Sequence, residues 1–276
     1  MKNLKNILLL LTAATFLSSC EDVIELELEN VAPRLVIEAN ISDQNGPYTV
    51  TLSETGDFYE DNTFPPRIGA TVTIFDELGN REFLTEVSPG IYQTATLQGV
   101  KGITYTLEIN SEGKNYMASS RIPNQINPID TITTSFLEES IFQEEGYFAT
   151  VSLQDVPNVK NYYRYKIFVN GKVYIFNQDV EGEDEIEDDN LYLDGDRFSD
   201  GQYLEVSFPV KLNIGDSIKV ELHHINKESF DYYRTLIDAI GESGVAAPSN
   251  PISNFGKQAL GNFNAYSFDS KTIRVE

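Results

Sequence analysis

Side chains able to perform acid–base or metal chemistry are few in this sequence or scattered along it. The two histidines, His223 and His224, are adjacent in a predicted strand, so they face opposite ways and cannot bind one metal ion together. No His-Glu-x-x-His motif, Gly-x-Ser-x-Gly motif or phosphate-binding glycine loop occurs. The sequence does not decide whether two carboxylates form a glycoside-hydrolysis site, because with 43 acidic residues a pair of acids is expected by chance. We predict a protein without catalytic residues or cofactors, and a secreted glycoside hydrolase is the less favoured alternative.

The segment 179–200 holds most of the clustered acidic side chains. Within it, Asp194, Asp196 and Asp200 are weak candidates for a calcium site, since calcium prefers several carboxylate oxygens close together. Their spacing matches no EF-hand, and the bidentate glutamate of that motif is missing. The segment is therefore predicted to be an extended, solvated loop that holds no metal ion.

The N-terminal residues have the three parts of a secretory signal: a positive start, the apolar stretch 7–17, and the small residues Ser18 and Ser19. The single cysteine of the chain, Cys20, follows at once. Leu17-Ser18-Ser19-Cys20 resembles the bacterial lipobox, which implies removal of residues 1–19 and acylation of Cys20. Because the apolar stretch is shorter than the roughly 20 residues that span a bilayer, we expect a lipid anchor and no membrane-spanning helix.

The charge of the chain limits its partners. Its formal net charge is −23, which disfavours nucleic acid and anionic lipid surfaces. Residues 20–33 alternate acidic and apolar side chains and are predicted to be a solvated tether that leads into the first strand. Acids directly after the cysteine also resemble the export signal of Bacteroidota surface lipoproteins. That resemblance implies an outer-membrane location facing the cell exterior.

Residues 34–122 are predicted to form the first domain. Short stretches rich in aromatic and β-branched residues alternate with turn residues, which favours an all-β fold of immunoglobulin-like sandwich type. The predicted strands are 35–41, 48–53, 70–76, 82–87, 91–94, 104–110 and 115–120. The stretches 90–92 and 102–107 resemble sandwich domains related to carboxypeptidase regulatory modules, which implies a scaffold or spacer role.

The proline- and asparagine-rich residues 123–128 are the predicted linker to a second β-rich domain, 129–276. Asn170-Gly171 predicts a tight hairpin. One helix is predicted at 227–240, with Asn226 as its N-cap. Its aromatic stripe is predicted to pack on the sheet, and a ligand surface is the alternative. The remaining strands are expected at 148–153, 163–169, 173–176, 203–208, 217–224, 263–268 and 272–275.

The segment 247–261 is long and has no regular period, as in many functional loops. Its predicted partner-binding residues are Pro248, Asn250, Pro251 and Phe255. The alternative is that Pro251 and Phe255 only cover one end of the second domain.

The same C-terminal region carries a family resemblance. The helix, the stretch 247–255 and the stretch 259–267 resemble an uncharacterised Bacteroidota outer-membrane lipoprotein family, commonly encoded beside TonB-dependent receptors. The resemblance implies a non-catalytic accessory module that partners such a receptor in nutrient uptake. An adhesive or structural surface spacer is the alternative function.

Overall fold

The computed structural model describes residues 32–56, 64–124, 127–139, 141, 145–174, 191–195, 199–240 and 249–276. Nearly all regular structure in these ranges is strand, and one helix is present, which confirms the predicted all-β, sandwich-like class. The strands are β1 (Leu35–Ser42), β2 (Thr49–Glu54), β3 (Thr71–Asp76), β4 (Arg81–Phe83), β5 (Thr85–Ser88), β6 (Ile91–Gln93), β7 (Thr104–Ser111), β8 (Lys114–Arg121), β9 (Thr131–Leu137), β10 (Gly146–Gln154), β11 (Tyr162–Val169), β12 (Lys172–Val173), β13 (Tyr192–Gly195), β14 (Tyr203–Ser207), β15 (Ser217–Ile225) and β16 (Leu260–Arg274); the helix is α1 (Lys227–Ile240).

One large sheet runs through the molecule in the order β12-β11-β15-β16-β1-β2-β6-β5, and β13 also pairs with β11. Two smaller sheets accompany it, β4-β3-β7-β8 and β14-β10-β9. At the centre of the large sheet, β16 pairs in parallel with β1 and antiparallel with β15. The last strand of the chain therefore joins the strands of both sequence halves into one sheet.

Two separate cores form on one face of the large sheet. Alternate residues of each strand point to this face, as the period of two requires. In the first core, Ile37 of β1 packs with Leu107 of β7, and both are fully buried. In the second core, Tyr165 of β11 packs with Val151 of β10, again without exposure. Each core thus lies between the large sheet and residues of a smaller one, which is a sandwich arrangement.

The last strand contributes to both cores. Phe263 and Ala265, near its start, belong to the first core, whereas Ile273, near its end, packs against the second. The sequence predicts two strands here and assigns all of 129–276 to a second domain, but β16 is one strand that returns to the first core. The boundary at 123–128 stays a prediction, and residues 33–276 group as one compact unit.

The local predictions around the helix and the hairpin are confirmed. Asn170 and Gly171 have φ values of 52° and 80°, the left-handed pair that a two-residue hairpin needs. The helix begins at Lys227, and the Asn226 Oδ1 atom accepts a hydrogen bond of 2.8 Å from the Ser229 N–H. Two strands, β9 and β13, were not predicted, and the predicted strand 82–87 is two strands, β4 and β5.

The second face of the large sheet is polar where the helix crosses it. Residues that alternate with the core positions point to this face: Arg164 on β11, His223 on β15, Asn262 on β16 and Glu38 on β1. The helix contacts β11, β13 and β16. Within the described ranges, no helix has the length and apolar character needed to cross a membrane.

Candidate functional site

A cavity of about 560 Å³ lies between the helix and the polar face of the large sheet. Side chains from β1, β2, β11 and β16 form its floor, and one side of the helix forms its wall. The floor is hydrophilic and the wall is mainly aromatic and aliphatic, with Tyr232, Tyr233, Leu236 and Ile240. A cavity of this size and mixed lining is typical of small-molecule sites. The predicted aromatic stripe of the helix therefore packs on the sheet and also lines a cavity.

Two asparagines on β16 have buried acceptors without a partner, and one of them, Asn262, lies at the cavity floor. Asn262 lines the cavity and is 4% exposed; its Nδ2 donates to the Ser229 Oγ at 3.3 Å, but its Oδ1 has no hydrogen-bond partner. Asn264, two residues further, donates to the Asn40 Oδ1 at 3.2 Å, and its own Oδ1 is also unpaired. A buried acceptor without a donor costs about 1–3 kcal/mol, so a ligand that supplies a donor would recover this cost.

Arg164 is held in place by the helix. Its guanidinium lies 4.4 Å from the centre of the Tyr233 ring and donates a hydrogen bond of 3.1 Å to the Tyr233 Oη. A cation over an aromatic face is attracted by the ring, and a second contact at the hydroxyl fixes the orientation. Lys166, two residues along β11, also lines the cavity. The β11 side of the site is therefore cationic, although the chain as a whole is strongly acidic.

His223 lies next to Arg164 on the neighbouring strand but is neutral. Its ring stacks on Tyr266 with centroids 4.2 Å apart, and its Nε2 is 3.5 Å from the Glu221 Oε2. Burial lowers the pKa of His223 to about 4. Burial also disfavours the Glu221 carboxylate, but hydrogen bonding to His223 and Lys219 outweighs that effect and lowers the pKa of Glu221 to about 2. The positive charge near the floor at neutral pH thus comes from Arg164 and Lys166.

The second histidine, His224, faces the opposite side of the sheet, as the sequence predicts. Its Nε2 lies 3.1 Å from the Asn127 carbonyl oxygen, and burial lowers its pKa to about 4. Beside it, the buried Asp155 carboxylate accepts hydrogen bonds from Asn127, Asn161 and Tyr163 at 2.5–3.0 Å. This network joins Asn127, in the predicted linker, to Tyr163 of the second core, so its polar groups have a structural role.

The lipobox prediction lies outside the described residues, because Leu17, Ser18, Ser19 and Cys20 all precede residue 32. The same is true of Pro248 in the predicted partner-binding loop. The other three residues of that loop are described. Asn250 is exposed, Pro251 is half-buried, and Phe255 is 4% exposed within the first core. Packing therefore accounts for Phe255, while partner binding by this loop stays a prediction.

The calcium candidates are only partly described. Asp196 lies outside the described residues. Asp194 is half-buried, and this burial raises its pKa. Asp200 accepts a hydrogen bond of 2.7 Å from the Asn158 N–H. In the part of the chain that the structure describes, no group of three or more His, Cys, Asp or Glu side chains could hold a metal ion.

Two further grooves, of about 670 and 450 Å³, flank Lys160 and Tyr162 beside the start of the helix. The side chains with buried, unpaired polar atoms that the structure describes do not line either groove. The cavity under the helix is therefore the better candidate site. Sequence analysis missed it, although one signal was available: polar Asn262 and Asn264 alternate with apolar Phe263 and Ala265.

Comparisons with known proteins give a family and no activity. Residues 21–272 match the family described as a domain of unknown function, DUF4249. A search of curated proteins finds no significant match. Among solved structures, the Yersinia pseudotuberculosis adhesin InvE is 20% identical and matches 69% of this chain, with a TM-score of 0.19. The match spans 55% of the adhesin chain.

Proposed function

We propose that this chain, which belongs to the DUF4249 family of domains of unknown function, is a non-catalytic binding protein that captures a small polar ligand. The cavity under the helix carries the proposal. It combines the unpaired buried acceptor of Asn262, a fixed guanidinium at Arg164 and an apolar wall. Polar groups that converge in a mainly preformed pocket orient a ligand and give specificity.

The composition of the site supports binding over hydrolysis. Glycoside hydrolases use two carboxyl groups roughly 5–9.5 Å apart on either side of the scissile bond. Among the described residues that line the cavity, Glu38 is the one carboxylate. His223, which could act as a base, is neutral but stacked on Tyr266 and does not line the cavity. We therefore assign no catalytic role to these side chains.

We further propose that the protein is anchored by an acylated Cys20 in the outer membrane and serves a TonB-dependent receptor. The lipobox-like Leu17-Ser18-Ser19-Cys20 supports the anchor, and the resemblance to receptor-linked lipoproteins supports the partner. Confinement to the membrane raises the effective concentration of the binding domain near the receptor, so that even weak contacts are populated. The loop residues Asn250, which is exposed, and Pro251, which is half-buried, are the proposed contact points.

The anchor is tested by metabolic labelling with an alkyne fatty acid. We expect the wild-type protein to incorporate label and to fractionate with the outer membrane, and Cys20→Ala to lose the label. The matched control is Ser18→Ala, which keeps a small residue two positions before the cysteine. Equal labelling and fractionation of Cys20→Ala and the wild type would refute the anchor.

The receptor role is tested by affinity purification of the tagged protein from gently solubilised outer membranes, followed by mass spectrometry. We expect a TonB-dependent receptor to be recovered, and Asn250→Ala with Pro251→Ala to reduce recovery. A substitution on the exposed surface of β14, Glu205→Gln, is the control. If no receptor is recovered from cells that express one from the neighbouring gene, the receptor role is wrong and a spacer role is favoured.

A further inference from the structure

The lining of the cavity under the helix is electrostatically polarised. Its cationic side is on β11, with Arg164 and Lys166, and its acceptor side is on β16 and β1, with Asn262 and Glu38. The strand order is β11-β15-β16-β1, so the two sides lie on different strands of the sheet. They are also offset along the strands, because Arg164 aligns through His223 with Phe268 of β16, whereas Glu38 aligns with Asn262.

We propose that the cavity binds a short peptide of two or three residues with free termini, an inference that rests on the proposed binding function. The α-ammonium would lie at Glu38 and the unpaired Asn262 Oδ1, and the α-carboxylate at Arg164 and Lys166. An extended chain covers about 3.3–3.6 Å per residue, so two or three residues are about 7–11 Å long. The cavity volume of about 560 Å³ suits the same length.

The two polar ends match the chemistry of peptide termini. A carboxylate is recognised most strongly by a guanidinium whose geometry is already fixed, and Tyr233 fixes Arg164 through its ring and its hydroxyl. An ammonium group supplies several N–H donors, which is what an unpaired buried carboxamide oxygen and a carboxylate can accept. Leu236 and Ile240 on the wall can contact apolar peptide side chains.

A neutral saccharide fits this lining less well. Sugars use aromatic faces for stacking, but the Tyr233 face is covered by the Arg164 guanidinium. Phe64, which also lines the cavity, is an exposed aromatic ring. A neutral ligand also gains nothing from opposite charges at the two ends of the cavity. The separation of charge therefore favours a zwitterion over an uncharged ligand of similar size.

The test is equilibrium dialysis of the full, lipidated protein in detergent against a pool of tripeptides with free termini, with retained peptides measured by mass spectrometry. Parallel dialyses use the same pool N-acetylated, the same pool C-amidated, and maltotriose. We expect retention of the free pool and at least about tenfold weaker binding after either end is blocked. Equal retention of free and blocked pools, or no retention of the free pool, would overturn the peptide proposal.

Substitutions at the two ends of the cavity test separately the recognition of the peptide ammonium and of the peptide carboxylate. Glu38→Gln should bind the free and the N-acetylated pools equally while still rejecting the amidated pool. Lys166→Met should weaken the preference for a free carboxylate while still rejecting the acetylated pool. Glu205→Gln and Lys172→Met, on exposed strands elsewhere, should behave like the wild type. If the protein retains maltotriose and no peptide, and Asn262→Ala no longer retains maltotriose, the peptide proposal is wrong but the binding function stands. If the protein retains neither maltotriose nor peptides, both the peptide proposal and the binding function are wrong.

Discussion

The most discriminating test of the fold is the substitution Gly261→Ala in the last strand. Gly261 has a φ of +90°, and a Cβ there would overlap the Ile37 carbonyl oxygen and lie 2.7 Å from the Ile37 carbonyl carbon. Ile37 is the direct partner of Gly261 in the parallel pairing of β1 with β16. Since ordinary Cβ contacts begin at 3.4 Å, relieving the overlap with the Ile37 oxygen would require the two strands to separate by about 1.4 Å.

The expected loss of stability has two parts. A left-handed backbone costs an L-residue about 1–2 kcal/mol. Separation of the strands weakens roughly two ladder hydrogen bonds, each with a net worth of about 0.5–1.5 kcal/mol. The free energy of unfolding should therefore fall by about 2–5 kcal/mol, a large part of the 5–15 kcal/mol typical of domains.

The matched control is Gly256→Ala, a few residues earlier. Gly256 also has a left-handed φ, +65°, but a Cβ there meets nothing within 4 Å. It should lose only the backbone part, about 1–2 kcal/mol. Urea unfolding can be followed by far-UV circular dichroism, since the chain has no tryptophan for fluorescence. Equal losses in the two variants would show that β16 does not lie against β1 as described.

Two further predictions concern buried titratable groups. Burial lowers the pKa of His223 and His224 from 6.5 to about 4, so the unfolded chain binds protons before the folded chain does as the pH falls. The contribution of these histidines to the free energy of unfolding is therefore complete above pH 6.5 and declines towards pH 4. Each histidine contributes up to about 1.4 kcal/mol per pH unit, and His223→Gln should reduce the slope of stability against pH by roughly half; a flat profile between pH 6.5 and 4 would contradict their burial. Asp155→Asn should lower the free energy of unfolding in urea by about 3 kcal/mol or more, because it replaces a carboxylate that accepts hydrogen bonds from Asn127, Asn161 and Tyr163. The control Asp238→Asn, on the exposed helix surface, should lower it by about 1 kcal/mol or less. Similar losses in the two variants would contradict the network.

Features that depend only on neighbouring residues could be predicted from the sequence. The Asn170-Gly171 hairpin and the Asn226-capped helix depend on neighbouring residues alone, and both agree with the structure. Strand β9 was missed because its residues past Ile132 are largely exposed and lack alternation. The joining of 263–268 and 272–275 into one strand depends on pairing with β15, which sequence patterns do not encode.

The candidate site was missed for a related reason. It depends on which strands are neighbours, and β1 and β16 are separated by more than 200 residues. The sequence shows polar Asn262 beside apolar Phe263, but it does not show that the Asn262 Oδ1 is buried under the helix without a hydrogen-bond partner. The loop prediction at Asn250 and Pro251 used length and composition, which indicate exposure and do not indicate a ligand.

Three successive residues of β16 connect the cavity to the fold. Gly261 allows the close approach to β1, Asn262 faces the cavity, and Phe263 fills the first core. A ligand that hydrogen-bonds Asn262 therefore acts on the strand that joins both cores. Because a ligand that binds only the folded state stabilises it by RT ln(1 + [L]/Kd), about 2.7 kcal/mol at 100 times Kd, binding at this cavity should raise the unfolding midpoint of the whole protein. Peptide binding that left the midpoint unchanged at that concentration would place the bound peptide elsewhere.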